Sequence, residues 1–508
     1  MRDRGGIVYS IGFDYDEYLK LQSEKILERI GMFGNKLYLE FGGKLFDDYH
    51  ASRVLPGYMP DTKVKLLKSL AEKAEIVIVI NASTIDSGKS IGDSGISYED
   101  DVLRLIDELR KGHLYVGSVV ISQYLGQNAA DKFKDNLERR GVTVYVTHYI
   151  PESDYPDNIQ FILSDKGYGN NDYIKTSRPL VVVTAPGPGS GKMTTCLSQL
   201  YHEYKRGIKA GYAKFETFPI WNRQLNHMIN LAYESATADI CDVNMIDPFH
   251  LEAYGVSAVN YNRDIEVFPI LNAMFTKIWG KSPYRSPTDM GVNMAGHCIT
   301  DDGICTEASK QEIIRRYFNT KLDYAKGNVQ KSAVTKLELL MNNSGLMPED
   351  RPPVAPALKR SEETSDPCVA IELPDGAMIT GKTSPLLGAS SAALLNALKY
   401  LAGIDDKVLL ISPAVIEPIQ DLKVGYLGNE NPRLHTDEVL IALAISTATN
   451  PTAGLILEQL PRLRNSEAHS SVILSQVDIG VFRQLGVNIT CEPRYQNVRM
   501  FHRKPLKM

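Results

Sequence analysis

Leu180-Val-Val-Val-Thr-Ala-Pro-Gly-Pro-Gly-Ser-Gly-Lys192-Met-Thr-Thr-Cys-Leu197 decides how this chain is read. An apolar run feeds a glycine-rich turn, then a lysine, then a helical pattern over Met193–Arg206. Phosphate oxygens need several donors at close range. Gly187, Gly189 and Gly191 let the backbone approach an anion without a Cβ in the way. Their N–H groups, with that of Ser190, form an anion-binding concavity. The helix adds its positive dipole end, and Lys192 adds a point charge. The match to the phosphate-loop pattern G-x-x-x-x-G-K-[ST] is incomplete. Gly191 and Lys192 fit, but the first glycine falls one place late, because position 186 is Pro186. Met193 stands where a Ser or Thr would hold magnesium. Thr194 serves that role only in a shifted register.

Similar strand and helix patterns surround this turn. Strands are expected at 36–41, 75–81, 114–122, 143–148, 180–184 and 212–216, with helices between them. Runs such as Ile76–Ile80 and Leu180–Val183 are apolar throughout, as in a sheet buried on both faces. Alternating strands and helices predict an α/β fold with a doubly wound, mostly parallel sheet, assigned to residues 1–230. From 231 to 347 the strand signals fade, and a mostly helical region is expected. Pro348, Pro352, Pro353 and Pro356 mark 348–366 as a linker. A C-terminal α/β domain is expected over 367–508, with strands at 369–373, 408–412, 472–474 and 488–491.

Composition narrows the function classes. The 508 residues predict a multi-domain protein. With 43% hydrophobic and 23% charged residues, the chain is ordinarily globular. The net charge of −5 gives no electrostatic footprint for nucleic acid, although Arg494, Arg499, Arg503, Lys504 and Lys507 crowd the tail. No stretch has the apolar length to cross a bilayer, so no membrane partner is expected. The six cysteines are scattered, without a CxxC, which fits free thiols in a reducing cytoplasm. Size and build make a homo-oligomer a reasonable expectation.

Other candidates follow from residue type. Lys214 and Glu216 share one face of a strand and are candidates for phosphate and metal respectively; a salt-bridged strand end is the competing reading. The loop after Asn81 carries Ser87, Lys89, Ser90 and Asp93, plausible substrate contacts beyond a strand's carboxyl end. Lys382, Thr383 and Ser384, with Ser390 and Ser391, form a second polar loop before a helix. Asp247 and His250, with Pro248 between, suit a proton donor–acceptor pair, and Asp242 is a candidate metal ligand with Thr194; capping and turn roles compete. His148, His435 and His469 are each more often structural than basic catalysts. No zinc spacing occurs among His297, Cys298, Asp301, Asp302 and Cys305.

The strings TAPGPGSGK with TCLSQLYHE, KFETFPIWN, MIDPFHLEAYG and SPTDMGVNMAG resemble, over essentially the whole chain, a bacterial family catalogued as domain of unknown function 1846. That resemblance implies a cytosolic protein with a Gly-rich loop, a helical insert and a C-terminal α/β part; it assigns no catalytic residue. The lysine on the strand after the loop helix also resembles the dethiobiotin-synthetase-type phosphate-loop proteins. The expected function is a nucleotide- or phosphate-dependent enzyme. It would use ATP or another nucleotide with Mg2+ for phosphoryl or nucleotidyl transfer, or for ligation on a small molecule. A metal-free transferase or isomerase acting on a phosphorylated metabolite, and a non-catalytic nucleotide sensor, stay open.

Overall fold

The computed structural model describes residues 11–496 apart from 34–35, 44, 47, 89–95, 152–156, 188 and 239–241. The chain divides into two units, Ser10–Glu312 and a second beginning at Ile313, with the division inside the helix Asp302–Ala325.

The first unit is built on β1 (Leu37–Phe41), β2 (Ala74–Asn81), β3 (Val116–Tyr124), β4 (Thr143–His148), β5 (Leu180–Thr184) and β6 (Gly211–Phe215). It also carries the short β7 (Asn244–Ile246), β8 (Val259–Tyr261) and β9 (Gly291–Val292). Seven strands form one sheet in the order β4-β3-β2-β5-β1-β6-β9, and every pairing in it is parallel. All residues of β1, β2, β5 and β6 are buried, which is why Ile76–Ile80 and Leu180–Val183 read as unbroken apolar runs, while β1 and β6 bury the charged Glu40 and Lys214. The connecting helices follow from their sequences. Tyr98–Lys111 starts at the N-cap Ser97, carries three acids in its first turn and Arg110 and Lys111 in its last, and buries Val102, Leu105, Ile106 and Leu109.

Two chain directions part at the centre of this sheet. The connection leaving β2 runs to β3 on one side; that leaving β5 passes β1 to reach β6 on the other. Right-handed crossovers put the two connecting segments on opposite faces. In open parallel sheets ligands gather at such a switch point, which here lies beyond the carboxyl ends of β2 and β5. The Gly-rich turn lies there.

The region 231–347 is mostly helical, and up to Glu312 it packs as part of the first unit. Helix Asn262–Trp279 buries Val267, Phe268, Leu271, Met274 and Phe275 in the same core as the sheet. β9 joins the sheet edge, and β7 pairs with β8. The reason is that an amphipathic helix buries its apolar stripe against whichever face is open, and here that face belongs to the first unit. From Ile313 the chain belongs to the second unit.

The second unit holds β10 (Cys368–Glu372), β11 (Met378–Lys382), β12 (Glu467–Ser470) and β13 (Asn488–Cys491) in a mixed sheet, order β11-β10-β12-β13. The expected linker is ordered structure. A 3-10 turn at Pro348–Asp350 leads to the helix Val354–Thr364. The prolines sit at helix starts, where a missing N–H costs nothing. Arg351, fully buried, donates to Thr490, to the Ala468 and Asn488 carbonyls, and pairs with Glu467. Expected strands at 408–412 and 472–474 are absent, and β11 and β12 stand beside β10 in their place.

Candidate functional site

Residues 185–191 form the turn between β5 and the helix Lys192–Lys205. Gly191 is the N-cap at φ 82°, in the left-handed region, and a Cβ there would meet Ser122 Oγ at 2.8 Å. A Cβ on Gly187 would come within 2.7 Å of the Tyr98 ring. Neighbouring strand ends clamp the turn. Asn81, closing β2, donates to the Gly189 carbonyl at 3.1 Å, and Ser122 in β3 donates to the Ser190 carbonyl at 2.6 Å.

No side chain caps the helix that follows, so its first N–H groups point out of the helix unclaimed. Lys192 occupies the first helical position, half-buried, with no hydrogen bond or ion pair among the described residues. Burial draws its ammonium below the ordinary lysine value; Glu40 opposes that, and Lys214 and Arg263 add to it. Ser190, 5% exposed, and Thr195, fully buried, have hydroxyls without a hydrogen-bond partner in the structure. A buried polar atom without a partner is costly, and these two hydroxyls flank Lys192 in sequence.

Beside the loop lies a buried charge cluster. Glu40 stands in register with Val183 on one side and Lys214 on the other and accepts from Tyr212 Oη at 2.8 Å. Lys214 Nζ reaches the Asp264 carboxylate at 2.6 and 2.5 Å and Glu216 at 2.9 Å, over the Tyr261 ring. Burial opposes the charged form of Lys214, but Asp264 and Glu216 outweigh it and hold the amine above its ordinary value. Burial lifts Glu216 and Asp264 above their ordinary carboxylate values against the pull of Lys214.

Other sequence candidates lie elsewhere or are already engaged. Asp242 pairs with Arg263 at 2.5 Å. Thr194 is half-buried in the first turn. Asp247 is a double cap: one oxygen accepts from the Phe249 and His250 N–H groups, the other from the Thr288 N–H and hydroxyl. His250 Nδ1 meets Ser286 Oγ at 2.9 Å, with Trp221 and Tyr254 packed around the ring. These contacts hold both residues at a helix junction, Asp247 through four hydrogen bonds and His250 through Ser286. Ser87 ends the short helix Ala82–Asp86 and bonds back to Thr84; Lys89, Ser90 and Asp93 lie outside the described residues. Lys382 pairs with Asp366, Thr383 is buried, and Ser384 accepts from the Leu386 and Leu387 N–H groups. These three shape a local turn of the second unit. His435 is held by Asp478 and Ser475, and His469 by Thr490.

Sequence reasoning missed Glu40, Arg263 and Asp264. Among the described residues, no group of three or more His, Cys, Asp or Glu is arranged to hold a metal ion.

The N-terminal model of domain of unknown function DUF1846 matches residues 11–345, and its C-terminal model matches 349–501. The chain belongs to this family. Three relatives each share 57% identity with it. The UPF0371 protein of Streptococcus thermophilus (strain LMG 18311) aligns over 491 residues, 97% of this chain and 99% of its own length. The UPF0371 protein of Streptococcus pneumoniae (strain JJA) aligns to the same extent. The one from Streptococcus pyogenes serotype M5 aligns over 494 residues, 97% of this chain and 100% of its own. The family border between 345 and 349 falls at the proline-rich segment, while the compact units part at Ile313. No helix among the described residues is long and apolar enough to cross a membrane.

Proposed function

We propose that the chain binds a phosphorylated small molecule, a nucleotide foremost, at residues 185–192. On this reading it is a cytoplasmic enzyme of phosphoryl or nucleotidyl transfer or of ATP-driven ligation. The observation that carries this is Lys192: an unpaired cation in the first turn of an uncapped helix, beyond the central strand of a parallel sheet. Loop N–H groups and the helix end take the phosphate oxygens, and Lys192 steadies charge that develops on them. Lys214, Glu216 and Asp264 fix the field behind it.

Magnesium would accompany a nucleotide in such a reaction. The protein's own donor set fits it poorly: Met193 replaces the hydroxyl, and Asp242 is held by Arg263. No step is therefore assigned to a metal. The same observation favours a second reading, a metal-free transferase or isomerase acting on a phosphorylated metabolite.

The test is thermal unfolding of the wild type and Lys192→Ala with ATP, pyrophosphate and sugar phosphates, with and without magnesium. At about a hundred times its dissociation constant a ligand adds about 2.7 kcal/mol, a shift of a few degrees. The wild type should shift and Lys192→Ala should not, while both melt cooperatively without ligand. An equal shift in the variant would remove the loop from the site. A shift with ATP only when magnesium is present favours the nucleotide enzyme; one with a sugar phosphate alone favours the second reading.

A further inference from the structure

Four non-glycine residues among those described have positive φ: His113, Gln123, Ser365 and Asn465. Three lie in turns or helix ends, where such backbone is common. Gln123 alone lies within a strand, at φ 52° in β3, where the pairing with β4 breaks register between Ile121 and Tyr124. Left-handed backbone in a strand is strained. Bulges and strain of this kind collect at functional sites, where they re-aim a side chain.

The hydrogen bonds show how this side chain is aimed. The Ser83 N–H can only donate, and it donates to Asn81 Oδ1 at 2.8 Å. That fixes Asn81 with its Nδ2 towards the loop, where it gives one hydrogen bond to the Gly189 carbonyl and another, at 2.9 Å, to Gln123 Oε1. Gln123 must therefore present its oxygen to Asn81 and turn its Nε2 donors outward. The residue is exposed, and it adjoins the turn that holds Lys192. Three consecutive carboxyl ends, of β3, β2 and β5, are thus joined through one amide pair to the backbone of the Gly-rich turn.

We infer that Gln123 is a ligand-binding residue of this site. Its Nε2 donates to an oxygen of the bound phosphorylated molecule beyond the group cradled by residues 187–192. This rests on the phosphate-binding reading of the loop and adds a donor that the loop pattern does not contain. Strain at φ 52° is retained because it places that donor.

The experiment uses the full chain and three proteins, wild type, Gln123→Glu and Gln123→Gly, titrated calorimetrically with pyrophosphate and with ATP, with Lys192→Ala as reference. Gln123→Glu keeps an acceptor for Asn81 and replaces the donor with a charge that repels phosphate, so the dissociation constant should rise at least about tenfold. Gln123→Gly relaxes the backbone and deletes the donor: it should weaken binding while raising the unfolding temperature, by roughly 2 °C. A residue that only shapes the strand would not give that opposite pair of changes. Unchanged affinity in both Gln123 variants, with binding lost in Lys192→Ala, overturns the role of Gln123 and leaves the loop assignment standing. Absence of pyrophosphate and ATP binding in the wild type overturns both.

Discussion

Replacing Lys214 with methionine tests the charge cluster most directly. The side chain of Lys214 is 8% exposed, and those of Glu216 and Asp264 are 7% and 3%. Its ammonium contacts both carboxylates at 2.9 Å or less, with Glu40 adding to the pull. Methionine fills similar volume, so the change isolates charge. Removing one partner of a buried pair leaves the others uncompensated and costs about 3–5 kcal/mol. Both tryptophans, Trp221 and Trp279, lie in the first unit, so urea unfolding followed by tryptophan fluorescence reports on this unit alone. The cost also has a signed pH dependence. Burial raises Glu216 and Asp264 in the folded state, so their stabilising contribution is present below the ordinary carboxylate value of about 4 and is lost as pH rises through the folded values. Without Lys214 those folded values rise further, and the loss steepens. Lys214 itself is raised, and its contribution is lost only above the ordinary lysine value of about 10. Between pH 5 and pH 8 the stability gap between wild type and Lys214→Met should therefore widen. Adding Asp264→Met should recover part of it, because the pair is then removed as a unit. A gap under about 1 kcal/mol that is flat over this range would refute the reasoning, since it would mean that water already screens the cluster.

Two further outcomes follow from groups assigned structural roles. Asp247→Ala should cost about 3 kcal/mol in the same fluorescence assay, about one for the lost cap and the rest for the Thr288 donors left unmet, while pyrophosphate affinity stays within about twofold; a stable variant that no longer binds would return Asp247 to the site. His469 is depressed by burial, with Glu492 opposing, so its contribution is present above the ordinary histidine value of about 6.5 and is lost as pH falls below it. Calorimetry of His469→Asn should show a flatter stability between pH 6.5 and pH 5 than the wild type, a window above that in which the lowered Glu467 and Glu492 titrate.

The phosphate-type turn and its sheet were legible because their signals are local. β5 is buried on both faces and reads as Val-Val-Val, and Gly191 adopts the left-handed backbone that its type favours. Lys214 and Glu216 were legible as a same-face pair, and the structure joins them at 2.9 Å. Their third partner was not. Asp264 opens a helix 50 residues from Lys214, and nothing in Asn-Arg-Asp distinguishes it from an ordinary acidic first turn. Gln123 left no trace in composition, because its meaning lies in a backbone angle. β12 was misplaced for a related reason. Glu467-Ala-His-Ser470 reads as polar, yet Arg351, Arg315 and Thr490 satisfy Glu467 and His469 inside the sheet. Buried polar residues with partners do not look buried in a sequence.

Met193 is the departure that most constrains the chemistry. Helical spacing places residues four apart on one face, so Lys192 shares a face with Cys196, and Met193 with Leu197. Met193 and Leu197 line one space, too narrow to hold a water, with Val267, Phe268, Leu271 and Met290, and Tyr212 and Asp264 border it. This is the contact through which helix Asn262–Trp279 packs on the loop helix, and the same helix delivers Arg263 and Asp264 to the charge cluster. A serine or threonine at 193 would give up these contacts, a large-to-small change that destabilises the packing between the two helices. The residue after the lysine is therefore committed to packing by the helix register. It cannot turn to a metal without giving up the contact that assembles Lys214, Glu216 and Asp264 beside Lys192. What this chain keeps of the phosphate-loop pattern is Gly191 and Lys192, the left-handed N-cap and the first residue of the helix.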